Sequence, residues 1–165
     1  MLTLRIKNQG LEDVEILKDN YFFLKDKNNI LALITELHSS AAGIILVPIN
    51  MYDKHAVGII GIKDQDSLKL YYIDPANEEM PHDLARLFAC HQIEVQHIKV
   101  EQQQYSNCGP EVIENFILYL TGERLSQEEA VPYHSELLER ELLDVPTGPV
   151  VLSGDSAESI PGGFI

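Results

Sequence analysis

No stretch of this sequence is apolar for long enough to cross a bilayer: its longest apolar runs, Gly43 to Ile49 and Ala56 to Ile62, fall far short of the ~20 residues a spanning helix needs. Met1-Leu2-Thr3-Leu4-Arg5 lacks the long apolar core and small-residue cleavage site of a secretory signal, and reads as folded structure. Cysteine is scarce, with only Cys90 and Cys108, and a chain of 165 residues has core enough without a disulfide. Free thiols are therefore expected, in a reducing, cytoplasmic compartment. Basic residues are few as well, twelve Lys and Arg against twenty-six Asp and Glu, giving a net charge of -14. That balance excludes a nucleic-acid backbone or an anionic membrane as partner and favours a basic one. Between Glu101 and Asp144, ten acidic residues stand against Arg124 and Arg140 alone. As a solvated surface, such a charge excess serves solubility.

Within these limits the composition is that of a globular protein, 45% apolar and 23% charged. One domain over residues 1–144 is expected, followed from 145 to 165 by a mobile tail in which Pro146, Gly148, Pro149, Gly154, Pro161, Gly162 and Gly163 allow no periodic pattern. Ile30, Leu33, Ile34 and Leu37 have the spacing of one helical face over Asn29 to His38, and Gly43 to Ile49 reads as a buried strand. His55 to Lys63 and Ser67 to Asp74 read as a hairpin about Asp64-Gln65-Asp66. Pro81 to His91 carries Leu84, Leu87, Phe88 and His91 at helical spacing, and Ile93 to Val100 is strand-like with a bulge between Val95 and Ile98. Val112, Ile113, Phe116, Ile117 and Leu120 predict a helix from Pro110 that stops at Gly122. Ser126 and Glu129 form a capping box for a last helix toward Leu143, bent or restarted at Pro132. The order predicts an α+β domain with a mixed central sheet packed against helices.

Cys108, in Ser106-Asn107-Cys108-Gly109-Pro110, falls at the predicted start of a helix. Unpaired amides and the positive end of the helix dipole favour a thiolate there and can bind an oxyanion. A lone buried cysteine is more often packing, which is the role assigned to Cys90 in the middle of a helix. Cys90, His91 and His97 have no zinc-ligand spacing, so no metal site is expected. Of six histidines, His55 opens an apolar strand and can serve as base. A turn centred between Asp64 and Gln65 would place His55 directly opposite Asp74, on the same face, where the carboxylate could orient the imidazole. Gln102, Gln103 and Gln104 precede the cysteine, and any of the three amides can donate to an oxyanion.

Val47-Pro48-Ile49-Asn50 followed by His55, Tyr71-Tyr72-Ile73-Asp74, Gln102 and Asn107-Cys108-Gly109 together resemble the ubiquitin-like-protease, adenain-like cysteine peptidases of clan CE, which include SUMO proteases and bacterial effector deubiquitinases. The resemblance spans roughly residues 43 to 121. Its order His, Asp, Gln, Cys differs from that of papain-like enzymes, where the cysteine comes first. It implies a papain-like α+β fold, Cys108 as nucleophile at a helix N-terminus, His55 as base, Asp74 as third member, and Gln102, six residues before the cysteine, as oxyanion donor. It also implies cleavage after the C-terminal Gly-Gly of ubiquitin or a ubiquitin-like protein, with no cofactor, and, for a bacterial effector, secretion into the host cytoplasm. Ala56 stands where the family commonly has Trp, and Asn107 where it usually has Asp. YopJ-type acetyltransferases share the chemistry on the same scaffold but use acetyl-coenzyme A and a basic inositol hexakisphosphate pocket, which so acidic a chain disfavours. A catalytically silent ubiquitin-binding module is the other alternative.

Overall fold

The computed structural model describes residues 2–17, 27–51, 55–104 and 108–143. The expected tail at 145–165 lies outside them. In chain order the elements are α1 (Leu2–Asn8), β1 (Val14–Ile16), α2 (Lys27–Ser39), β2 (Ile44–Met51), β3 (His55–Asp64), β4 (Ser67–Ile73), α3 (His82–Cys90), β5 (Glu94–Ile98), α4 (Cys108–Thr121) and α5 (Gln127–Leu143). The strands form one sheet in the order β1-β2-β3-β4-β5. β1 and β5 run parallel to their neighbours, while β2, β3 and β4 form an antiparallel meander. This is the mixed sheet that the sequence predicts.

Helices cover both faces, which explains why β2 reads as a continuous apolar run instead of alternating. Ile45, Val47 and Ile49 pack with Leu33 and Leu37 of α2 and with Leu84 and Phe88 of α3. Leu46 faces the other way, into a second core with Ile6 of α1 and Val112, Ile113 and Phe116 of α4. Pro48 sits in β2 beyond the end of the three-residue β1 ladder, where a strand tolerates a missing amide.

Two-sided burial also removes the predicted bulge in β5, whose register against β4 is unbroken from Glu94 to Ile98. Val95 packs on the α2/α3 side and Ile98 on the α1/α4 side, so apolar residues three apart need no bulge. Cys90, assigned to packing, is exposed. It lies two residues, or about 200° of helix, from buried Phe88, which turns it to the solvent side of α3. Gly122 ends α4 with φ +82, as a helix stop requires. The capping box forms reciprocally, with the Ser126 amide 3.1 Å from Glu129 Oε2 and the Glu129 amide 3.2 Å from Ser126 Oγ. α5 then continues through Pro132 without restarting.

The hairpin register is two residues from the predicted one. Asp64 pairs with Ser67 and Gly58 with Ile73, so the turn centres on Gln65-Asp66, with Gln65 at φ 52. Partner numbers sum to 131 and not 129, which puts Val57, in place of His55, across from Asp74. A shift of two keeps both residues on one face, whereas a shift of one would have separated them.

Candidate active site

α4 approaches β3 closely because Gly58 has no side chain. A Cβ there would lie 2.5 Å from the Phe116 ring and 3.1 Å from Val112. That approach seats Cys108, the first described residue of α4 and 6% exposed, beside the start of β3. There the His55 ring and the Ala56 and Gly109 backbone groups act on its thiol.

His55 Nε2 lies 2.8 Å from Asp74 Oδ1. The two-residue offset makes this a diagonal pair, for which Cβ atoms stand about 7–8 Å apart or somewhat less, and the far ring nitrogen is the one that spans the gap. Nδ1 is then left for the thiol. Asp74 is buried, and its Oδ1 also accepts from the Ala76 amide at 2.7 Å. The following turn is tied to the chain after β5 by Asn77, whose Nδ2 donates to the Val100 carbonyl and whose Oδ1 accepts from the Val100 amide. Asp74 Oδ2 is buried with no partner among the described residues.

Charge follows from this geometry. The hydrogen bond to Asp74, then that to Cys108, push His55 up from 6.5 to about 10, against the effect of burial. The His55 hydrogen bond holds the Cys108 thiol below its ordinary range; burial opposes this, and the Ala56 and Gly109 amides assist it. The arrangement favours a thiolate–imidazolium pair, a group able to attack a carbonyl and return a proton. His55, Asp74 and Glu78 place ligand atoms within 4.8 Å of one another. Two of these three groups are already joined directly by the His55–Asp74 hydrogen bond.

Gln102 is exposed, and the structure brings its carbonyl, not its amide, into the hydrogen-bonded framework: the carbonyl accepts from Gln127 Nε2 at 3.0 Å. Gln103 is half-buried, and its amide donates to the Pro75 carbonyl. Among the predicted residues, then, His55 and Asp74 meet through their side chains, Cys108 begins the described part of α4, and Gln102 joins through its backbone.

Behind the site, sequence reading missed a set of buried polar residues. Glu114, six residues along α4 from Cys108, accepts from Arg5 Nε and Nη2 at 3.0 Å each and from the Leu125 amide at 3.0 Å. His134 Nε2 lies 2.7 Å from it. Burial raises its carboxyl, but the bonds from His134, Arg5 and Leu125 outweigh this and hold it down to about 2. Glu111 and Asn115 both bind Arg124. No periodic signal marks such residues, because a polar residue on a helix is expected to face water.

No protein-family model matches the sequence, and no curated protein matches it as a relative. Solved structures do. The SUMO protease Ulp1, with its catalytic cysteine oxidized to a sulfenic acid, superposes with a TM-score of 0.57 at 14% identity over 82% of this chain and 73% of that one. The Rickettsia bellii effector protein RickCE gives 0.54 at 17% identity over 71% of this chain and 53% of its own, and the Xanthomonas campestris effector protein XopD bound to ubiquitin gives 0.51 at 18% over 69% and 66%. The chain thus spans less than two thirds of either effector structure. No helix among the described residues is long and apolar enough to cross a membrane. What these likenesses establish is the architecture, and the chain has the α+β fold of the clan CE proteases.

Proposed function

We propose that this protein is a thiol peptidase that cleaves after the C-terminal Gly-Gly of ubiquitin or a ubiquitin-like modifier, with the domain running to residue 144. The observation that carries the reading is His55 Nε2 at 2.8 Å from Asp74, with the Cys108 thiol on the same ring. The Cys108 thiolate attacks the scissile carbonyl carbon; the C–N bond breaks as the His55 imidazolium protonates the leaving amine. Water, deprotonated by His55, then attacks the thioester and frees the thiol. Asp74 keeps the proton on Nε2 throughout, and the amides at the start of α4, with Gln102, meet the oxyanion.

The fold supports this reading, since one neighbour is a SUMO protease and another an effector bound to ubiquitin. The net charge of -14 suits a basic protein surface as substrate. Work in a reducing cytoplasm, a host's in the case of a bacterial effector, suits an unpaired nucleophilic thiol. Acetyl transfer from acetyl-coenzyme A on the same three residues is the second reading, and would leave an acetyl group on Cys108. A silent binding module would function unchanged as Cys108→Ala. The test is a ubiquitin or SUMO probe bearing a C-terminal electrophile: Cys108 is labelled and Cys90 is not. Folded protein that reacts with none of these probes sinks the peptidase reading.

A further inference from the structure

The segment 102–104 is held at both ends by one side chain. Gln127, the first residue of α5 and 6% exposed, donates Nε2 to the Gln102 carbonyl at 3.0 Å and accepts at Oε1 from the Gln104 amide at 2.8 Å. Between these bonds the Gln103 amide donates to the carbonyl of Pro75, next to Asp74, at 2.8 Å. One primary amide thus satisfies the backbone on either side of Gln103 as a neighbouring strand would, using its donor and its acceptor together. No other neutral side chain of this length has both.

Gln127 is itself fixed from the nucleophile's helix. Leu125 donates its amide to Glu114, and Arg124 binds Glu111, Asn115 and the Leu125 carbonyl. The Ser126/Glu129 capping box then sets the first turn of α5. A continuous path of hydrogen bonds and backbone runs from α4, which carries Cys108, through residues 124–127 to the glutamine segment and on to the residue after Asp74.

We propose that Gln127 is a positioning residue for the reaction put forward above: it holds residues 102–104 at a fixed distance from Cys108, so that the glutamine donor of that segment meets the oxyanion. The proposal rests on the peptidase reading. Without the Gln127 amide the segment keeps, among the described residues, its Pro75 bond, and its side chains lose their register with the sulfur.

Two variants test it. Gln127→Met fills the same space with neither hydrogen-bonding group, and Gln127→Glu keeps the acceptor for Gln104 but turns a second acceptor toward the Gln102 carbonyl. Each is expected to lower kcat on ubiquitin– or SUMO–aminomethylcoumarin about 10- to 100-fold, the cost of a catalytic donor displaced by about an ångström, with KM within about twofold. Alkylation of Cys108 by iodoacetamide is expected to stay unchanged, because that displacement forms no oxyanion. A kcat that stays at the wild-type level, or that falls together with the alkylation rate, overturns the positioning role. Amide exchange reads the same hold without activity: Gln104 should exchange at least about tenfold faster in Gln127→Met, and unchanged exchange overturns the proposal. If Gln127→Met fails to fold, Gln127→Glu carries both measurements. Wild-type protein that cleaves neither conjugate defeats the peptidase reading, and the exchange rates then decide the holding role alone.

Discussion

His55 Nε2 and Asp74 Oδ1 lie 2.8 Å apart beyond the last ladder pair of β3 and β4, Gly58 with Ile73, so a side-chain bond closes the end of the hairpin where backbone pairing has stopped. The pair orients a base and at the same time ties the start of β3 to the turn after β4.

Asp74→Asn replaces the carboxylate whose hydrogen bond most raises His55. With His55 at about 10 and Cys108 held low, kcat/KM should rise with pH through the depressed thiol value, stay flat across neutral pH and fall only near pH 10. In Asp74→Asn the alkaline limb should move toward neutral, with activity lower by on the order of 10²- to 10⁴-fold. A pH–rate profile on a modifier–aminomethylcoumarin decides it, and an alkaline limb that stays in place would show that Asp74 does not set the base.

At pH 6 iodoacetamide should modify Cys108 faster than Cys90, although Cys90 is exposed and Cys108 is buried. The thiolate is the reacting species, and His55 with the Ala56 and Gly109 amides favours it at Cys108. Mass spectrometry of tryptic peptides over time, on the wild type and on Cys90→Ser, measures the order. Faster reaction at Cys90 would mean that access outweighs activation.

Gly58→Ala should loosen the seat of α4. A methyl group 2.5 Å from the Phe116 ring cannot be accommodated by a fully buried aromatic without moving the helix. Overpacking of this kind costs about 1–3 kcal/mol, or a Tm lower by about 2–12 °C for a domain of this size. Activity should fall further than stability, since the moving helix carries Cys108. A thermal melt alongside kcat/KM separates the two effects.

Glu114 should dominate acid unfolding. Its folded value, about 2, lies below its ordinary 4.5, so its contribution is present above pH 4.5 and is lost as pH falls toward 2. The amount is on the order of 3 kcal/mol. Glu111 works in the opposite direction: burial raises its carboxyl, so acid protonation there favours the fold. Glu114→Gln should flatten the acid limb of a urea-midpoint profile. It should also lower stability at pH 7, because Arg5 is left buried without its carboxylate. An unchanged acid limb would remove Glu114 from this role.

Much of the fold was legible because the relevant signals are local. Val112, Ile113, Phe116 and Ile117 at helical spacing, Gly122 in a left-handed stop and the Ser126/Glu129 capping box each act within a few residues, and each appears in the structure. The pairing of His55 with Asp74 was legible in face but not in register. Period-two geometry fixes the face, whereas the register depended on Gln65 and Asp66 forming the turn. Cys90 was misplaced because an apolar residue type does not say which side of a short helix it occupies.

The sequence by itself determined the elements from α2 onward, though not α1 and β1, together with the chemistry available at Cys108, His55 and Asp74 and an acidic composition. Tertiary structure alone decided the rest: how closely α4 approaches Gly58, which imidazole nitrogen faces Asp74, and that Arg5, Glu114, Gln127 and His134 are buried. The physical reason is that a buried polar residue is stable only with its partners in place, and those partners lie up to 109 positions away in the chain.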